Sequence, residues 1–533
     1  MRLDGSTCWG WVGAWAVVLL ASSCGEEEGG GRAHPDAGET AGGGGSVNDA
    51  EPPLGGGGQG GTGGAAGQGG TGGAAGQGGT GGAAGQGGIG GAAGQGGTDA
   101  GVEACRQWVE DLALAACTLH VATTGSDTGS GSSNDPTRTI QQAVDVASAG
   151  DHICVEAGNY PEDVVIQTSG EEAHWLVLST AAEAVVRSLA IQADHVVLDG
   201  FVVQDAAGVG IAVKGHHNWI RNNLVVDSAS YGINVVGYWS DVYTDSTHNT
   251  LIGNRVQRAH TAGIQIFGTG NRVVGNEISA TRLAGDADGI RFFGDAHLVA
   301  ANYIHDIRTS EAPGAHIDCF QTWGPATNVR FDSNYCDNPD DSMQGTMIEQ
   351  INNPVRGFTF VNNVFRMGAS GYGPGINVHA APGQDVIEDM VIVNNTFART
   401  SGAGEYSIRL TRVQGALIEN NLFYDGVLPP VQAVDSTEVE QDYNLVFRTN
   451  GGEPDGTPAA HDLWQTDPQM VDAAAGDYRL LATSPAIDAG ASVSELLTYD
   501  HAGTPRPQMA GWDIGAFEWS ESPCGYAVPT AAR

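Results

Sequence analysis

IRNNLVV at residues 220–226, LIGNRVQ at 251–257, VVGNEIS at 273–279, VAANYIH at 299–305, FDSNYCD at 331–337, FVNNVFR at 360–366, IVNNTFA at 392–398 and IENNLFY at 418–424 are copies of one local pattern, an asparagine with an apolar residue two places on. The asparagines, Asn223, Asn254, Asn276, Asn302, Asn334, Asn363, Asn395 and Asn421, stand 22 to 32 residues apart. A fixed motif at a variable interval means identical turns joined by loops of different length, which is how a solenoid reads in sequence. Each asparagine is expected at a tight turn, where its side chain tolerates left-handed backbone and bonds to nearby amides, so that stacked copies form a ladder.

Working outward, a second register lies upstream of each asparagine: GIAV, GINV, GIQI, GIRF, CFQT, MIEQ, GINV and SIRL. Aligning these gives an inward row of Ile211, Ile233, Ile264, Ile290, Phe320, Ile348, Ile376 and Ile408. Side chains alternate along a strand, so the next position faces out, and there the residues run Ala212, Asn234, Gln265, Arg291, Gln321, Glu349, Asn377 and Arg409, polar in all but the first. Two places further come Phe267, Phe293, Trp323, Ile351 and His379. One fixed apolar row beside one variable polar row denotes short strands stacked coil on coil. A propeller would show turn signals every 8 to 12 residues or so, and a leucine-rich repeat a steadier period.

The two ends carry more specific marks. The stretch from His120 to Tyr160 contains TIQQAVDVA at 139–147, read as a helix whose start is signalled by Asp135 and Pro136. SPAIDAG at 484–490, GTPRP at 503–507 and GWDIGAFEW at 511–519 stand near the other end. With the repeats between them, residues 118 to about 520 resemble the right-handed parallel β-helix proteins of the pectin-lyase-like superfamily, of the bacterial surface lipoprotein type. The resemblance implies an all-β, right-handed parallel β-helix (solenoid) with a short N-terminal capping helix that plugs the first coil. The expected organisation is a signal peptide over 1–23, a lipid-anchored, disordered Gly-rich tether over 24–101, a cap and first coil over 102–160, coils over 161–450 and a closing segment over 451–533.

The leader reading rests on WGWVGAWAVVLLASS at 9–23, an apolar run too short to span a bilayer and suited to a signal peptide. It ends in LASSC, which resembles a lipobox and makes Cys24 the expected lipidation site. Thr62, Thr71, Thr80, Ile89 and Thr98 then recur nine residues apart in units of GTGGAAGQG type. Without large apolar side chains such a segment cannot offset its ordering entropy, so it serves as a tether. The chain has 23 Lys+Arg against 62 Asp+Glu, a net charge of −39, which argues against any nucleic-acid partner. With Cys8 removed and Cys24 lipidated, six of the eight cysteines remain in an exported chain, where disulfides are allowed. If 106–116 is one helix, Cys105 and Cys117 lie about 18 Å apart, beyond disulfide reach, and one or both must pair with Cys154 or Cys524.

Acids gather where the loops lengthen, in GDADGIRFF at 285–293, EAPGAHIDCFQTW at 311–323 and DNPDDSMQGTMIEQ at 337–350. Asp288 and Asp318 share a register two places before the inward row on consecutive coils, so they are expected to stack, with one protonated or a cation such as calcium (Ca2+) between them. Asp286, His316, Asp340, Asp341 and Glu349 are supporting candidates. Asp288 and Asp318 also match acids in two enzyme families of the superfamily. In polygalacturonases these stand in the Asn-Thr-Asp-Gly and Asp-Asp-Cys motifs; in calcium-dependent pectate lyases they are metal ligands. Ile317, Gln321, Thr346, Asn377 and His379 depart from those patterns, so neither activity carries over intact. A lyase acting on a uronic-acid polysaccharide needs a cation at the sugar carboxylate and a base at C5, for which Arg291 and then His316 or His379 are the candidates. A hydrolase needs two carboxylates, best met by Asp318 and Glu349. Gln265, Gln321, Asn377 and His379 would bond sugar hydroxyls and Phe267, Phe293 and Trp323 would stack on sugar rings. The alternative use for the aromatic row is packing beneath a loop at 238–249. The expected protein is a monomer acting on an acidic, pectin-like polysaccharide by β-elimination, touching a membrane through its lipid anchor only; a non-catalytic glycan-binding or adhesive surface protein is the competing reading.

Overall fold

A computed structural model describes residues 105–529, apart from 109–111, 238–245, 284–285, 313–314, 339–343, 352–353, 369–372, 399–405 and 427. The expected signal peptide, Cys24 and the tether over 24–101 lie outside the described residues, as do Asp340, Asp341 and most of the loop at 238–249.

Each full coil contributes three short strands. In the coil of Asn223 these are Trp219–Arg221, Leu224–Val226 and Ile233–Val235. First strands of successive coils pair in a 15-stranded sheet running from Leu119–Val121 to Thr437–Asp442, and second and third strands make up a 22-stranded sheet. Every coil-to-coil pairing is parallel, as in Leu224↔Arg255 and Ile233↔Ile264. The protein is a right-handed parallel β-helix.

The asparagines form the expected ladder. Oδ1 of Asn254 accepts from the backbone N–H of Asn223 (3.1 Å) and from its Nδ2 (2.9 Å), and the same pair of bonds repeats through Asn276, Asn302, Asn334, Asn363, Asn395, Asn421 and Asn444. The left-handed backbone falls one residue earlier than expected, on Asn222 (φ 56°), Gly253 (φ 65°), Ala301 (φ 52°), Asn362 (φ 56°), Asn394 (φ 55°) and Asn420 (φ 56°). Where the motif reads Asn-Asn the two residues therefore divide the work. The first makes the corner and the second, fully buried, carries the ladder.

The inward row is fully buried throughout. Its register holds from Ile211 to Phe320, but Phe320 then pairs with Thr346, while Ile348 pairs with Thr322. A slip of two residues keeps the same face inward, so alternation alone cannot detect it. Glu349 is displaced with it: the neighbour of Gln321 in the outward row is Met347, and Glu349 instead faces His379.

Both ends are closed. The helix Ile140–Val146 buries Ile140, Ala143 and Val144 against the first coil. Its N-cap is Thr139, accepting from Gln142 N–H, rather than the Asp135-Pro136 pair, and Asp135 accepts from Ser130 in the preceding loop. The described residues of 105–117 are not helical. They run as a strap back across the first strands: Arg106 N–H donates to Gly503, Arg272 to the Trp108 carbonyl, Arg221 to Leu112 and His152 to Ala115. Disulfides hold its two ends, Cys105–Cys524 and Cys117–Cys154, which are the partners expected; Cys319–Cys336 lies within the coils. The closing segment is pinned by the corner asparagines, with Asn362 donating to Tyr499, Asn394 to Asp513 and Gly515, and Asn420 to Ala491.

Candidate functional site

Third strands of neighbouring coils bring the outward residues into one row, Asn234, Gln265, Arg291, Gln321, Met347, Asn377 and Arg409. The segments leading into two of these strands carry the acids. Asp286 bridges to His316 one coil on, and the Asp318 N–H donates to Asp288 Oδ1 at 3.2 Å, so the two aspartates do stack. Both are fully buried. Their parity with Ile290 and Phe320 explains the burial, since residues two apart on a strand share a face.

Protein cations meet the repulsion between them. Arg291 donates through Nε to Asp288 Oδ2 (2.6 Å) and through Nη2 to Asp286 Oδ2 (2.7 Å). His316 Nδ1 lies 2.8 Å from Asp318 Oδ2. Burial pushes the Asp288 carboxyl well above the usual carboxylate range, Arg291 opposing and Asp318 adding to the rise. Asp318 is raised by burial too, against the pull of His316. For Arg291, burial works against the charge and is overcome by Asp288 and Asp286. The contact with Asp318 holds His316 protonated up to about 9. Gln344, opposite Asp318 in register, places its amide 2.7 Å from His316 Nε2 and accepts from Asn377 at 2.5 Å. Neutral His316 takes an N–H from Gln344, whereas the imidazolium needs that amide turned to present Oε1.

Several expected roles are corrected. Asp318 is fully buried and reaches a substrate only through His316, whose side chain is 46% exposed. Glu349 stands five strand positions beyond Gln344, roughly 16 Å at 3.3 Å per residue, so Asp318 and Glu349 are not a hydrolytic pair. Arg291, at 5% side-chain exposure, is committed to two carboxylates and is not free to hold a sugar carboxylate as its main partner. Phe267 and Phe293 are buried, stacked 4.8 Å apart, with Trp323 edge-on to Phe293 at 4.7 Å. A Cβ at Gly237 would come within 2.2 Å of Phe267, so backbone packs over this ring and no sugar can. Of the aromatic row only Trp323 keeps partial exposure, 5.4 Å below the Arg291 guanidinium. Gln265 is buried beside Asn234. Gln321, Asn377, Glu349 and His379 remain partly exposed on the outer face.

The Ca2+ expected between Asp288 and Asp318 is tested by the donor set. Each carboxylate already faces a cation of the protein. Among the described residues, three His, Cys, Asp or Glu ligand atoms lie within 4.8 Å of one another only at Cys117, His152 and Cys154. The acids at 286–318 do not converge in that way. What they leave is a set of buried oxygens without a hydrogen-bond donor, Asp286 Oδ1, both Asp318 oxygens and Gln321 Oε1, Asp318 Oδ2 having only its 2.8 Å charge contact with His316. Sequence alone yields His316 and Asp318 as separate candidates; the i, i+2 spacing of His316-x-Asp318, which pairs them, was the signal left unused.

Comparisons with known proteins add little about chemistry. A family described as a protein of unknown function, DUF1565, matches residues 123–171. No curated protein matches. Among solved structures, a pectate lyase, Pel9A, aligns at 18% identity over 75% of this chain and 96% of its own, with a TM-score of 0.45. An alginate lyase from Paenibacillus sp. str. FPU-7 aligns at 16% identity over 49% of this chain and 91% of its own, TM-score 0.34. A GH136 lacto-N-biosidase from Eubacterium ramulus aligns at 11% over 61% and 68%, TM-score 0.36. None of these assigns a role to a residue of this chain.

Proposed function

We propose that the face formed by the third strands around residues 286–323 binds an acidic polysaccharide, and that His316 moves the proton in a β-elimination. The observation that carries this is a half-exposed imidazole backed by buried Asp318 on a face that also presents the partly exposed amides of Gln321 and Asn377. A uronate brings the anion that imidazolium attracts, and its hydroxyls can meet the partly exposed Gln321 and Asn377 on the same face. In the elimination the Gln344 amide gives up its bond to Nε2, neutral His316 takes the proton from C5 on that nitrogen, the C4–O bond breaks, C4=C5 forms and the leaving oxygen is protonated by water. Asp318 positions the ring and stabilises the imidazolium as it forms.

One observation favours binding without turnover. A lyase needs a cation on the uronate carboxylate as charge develops, and Arg291 is already saturated by Asp286 and Asp288. Screening polygalacturonate, alginate and a neutral glucan for unsaturated-uronate absorbance and for binding separates the readings. Product from a uronate polymer that disappears in His316→Gln supports elimination. Binding of uronate polymers without product leaves a binding protein, and no preference for uronate over neutral glucan overturns both. The apolar run at 9–23 and Cys24 support export and a lipid anchor, with the Gly-rich segment as tether to a surface-displayed domain.

A further inference from the structure

The clamp at the far end of the strap gathers three metal-ligating side chains. Cys117 and Cys154 are disulfide-bonded with Cα atoms 5.7 Å apart, and His152 Nε2 lies 3.5 Å from Cys154 Sγ. The imidazole is buried and oriented from behind. Its Nδ1 lies 2.6 Å from the Ala115 carbonyl oxygen. A carbonyl only accepts, so Nδ1 carries the proton and Nε2 keeps its lone pair, which an incoming ion would take over from its present hydrogen bond to complete a carbonyl–histidine–metal relay. Nε2 accepts that bond from the Ser179 hydroxyl at 2.7 Å.

The spacing suits a tetrahedral ion. Zinc bonds of about 2.3 Å to sulfur and about 2.0 Å to nitrogen give ligand edges of about 3.5 Å for N···S and about 3.8 Å for S···S. The His152–Cys154 edge already has that length. The sulfur–sulfur edge requires the covalent bond to be opened, and the 5.7 Å Cα separation leaves room for it. Cys117 is exposed, so a reductant reaches the bond, and a cavity of about 200 Å³ lined by Ala115, His152, His174 and Trp175 gives an ion a route to the ring.

We propose that, once this disulfide is reduced, Cys117, Cys154 and His152 form a Cys2His site for Zn2+ or another thiophilic divalent ion, with water as the fourth ligand. A dithiol reductant supplies two electrons and two protons, leaving two thiols and its own disulfide. Metal uptake then releases the two thiol protons, because the thiolates are the ligands. Disulfide and metal are alternative closures of one clamp, and either keeps the strap tied to the first coil. The inference stands independently of the polysaccharide reading.

Co2+ titration of the full domain, oxidised and after mild reduction, tests it. Reduced protein is expected to take up one Co2+ with the intense visible bands of tetrahedral coordination and thiolate charge transfer, to exchange it for Zn2+, and to keep its strand circular dichroism. Oxidised protein is expected to show neither band. Cys117→Ser should halve the charge-transfer intensity and weaken binding about tenfold or more, and His152→Gln should weaken it without removing charge transfer. Cys105→Ser, at the other end of the strap, should leave the spectrum unchanged. Equal Co2+ spectra before and after reduction, a Cys117→Ser spectrum like that of reduced wild type, or loss of the strand signal on reduction would each overturn the proposal.

Discussion

Replacing Asn334 by alanine removes four hydrogen bonds from the middle of the ladder. Its Oδ1 accepts from Asn302 N–H (3.1 Å) and Asn302 Nδ2 (2.9 Å), and its Nδ2 donates to the Val299 carbonyl (2.8 Å) and to Asn363 Oδ1 (2.9 Å). Asn302, Asn334 and Asn363 are all buried, so water cannot substitute. The two Asn302 donors are stranded, at about 1–3 kcal/mol each, whereas Asn363 Oδ1 keeps the bond from Asn334 N–H. The expected loss is about 3–5 kcal/mol. Asn222→Ala supplies the contrast, because that corner residue is exposed and its side chain makes one bond, to Asp199; its effect should stay at about 1 kcal/mol, the cost of alanine in the left-handed corner. Urea unfolding followed by circular dichroism measures both through the midpoint at unchanged slope. A loss below about 1 kcal/mol for Asn334→Ala, or an equal loss for Asn222→Ala, would refute the view that the second asparagine of the motif holds the coils together.

His297 replaces an asparagine in a second, shorter ladder: its Nε2–H donates to Phe293 and its Nδ1 accepts from Asn271 N–H, and burial pushes its pKa down to about 4. The unfolded value is near 6.5, so its contribution is present above that pH and is lost as pH falls toward 4; melting of His297→Asn against wild type should show the variant gaining by up to about 3 kcal/mol across this window, and a pH-independent difference would contradict the burial-lowered pKa. Because Arg291 and His316 already neutralise Asp288 and Asp318, Ca2+ should leave the melting temperature unchanged; a calcium-dependent rise that Asp318→Asn removes would restore the bridging ion. Cys24→Ala should move the full-length protein from the membrane to the soluble fraction, and unchanged partitioning would rule out the lipid anchor.

The coils were legible because the ladder asparagine and the inward apolar row obey one geometric rule in every turn. The left-handed corner was displaced by a single residue, since an Asn-Asn pair does not say which member turns and which carries the ladder. The two-residue slip at Ile348 was invisible for a different reason: alternation has period two, and only backbone pairing shows that Thr346 lies opposite Phe320. That slip carried Glu349 out of the site. The stacking of Asp288 on Asp318 was readable from register, yet their burial follows from the same parity and was not drawn. Phe267 and Phe293 stayed open between sugar stacking and packing because an aromatic beyond the end of a strand is free of alternation, and its exposure depends on what packs over it. The strap was hidden because a dozen residues without periodicity look alike whether helical or extended, and the cysteine spacing left open which of Cys105 and Cys117 pairs with Cys154 and which with Cys524.

The most direct test is the pH profile of unsaturated-uronate production from a polyuronate by wild type, His316→Gln and Asp318→Asn. With His316 protonated up to about 9, the wild-type rate should climb through neutral pH and level off only above that value, as the base form accumulates. His316→Gln should lose about a hundredfold or more at every pH. Asp318→Asn removes the partner that raises the imidazole, so its profile should level off at lower pH with a reduced plateau, a shift that a purely structural role would not produce. Absence of product from every uronate polymer, a His316→Gln rate equal to wild type, or an Asp318→Asn profile that keeps the wild-type midpoint would contradict proton transfer by His316.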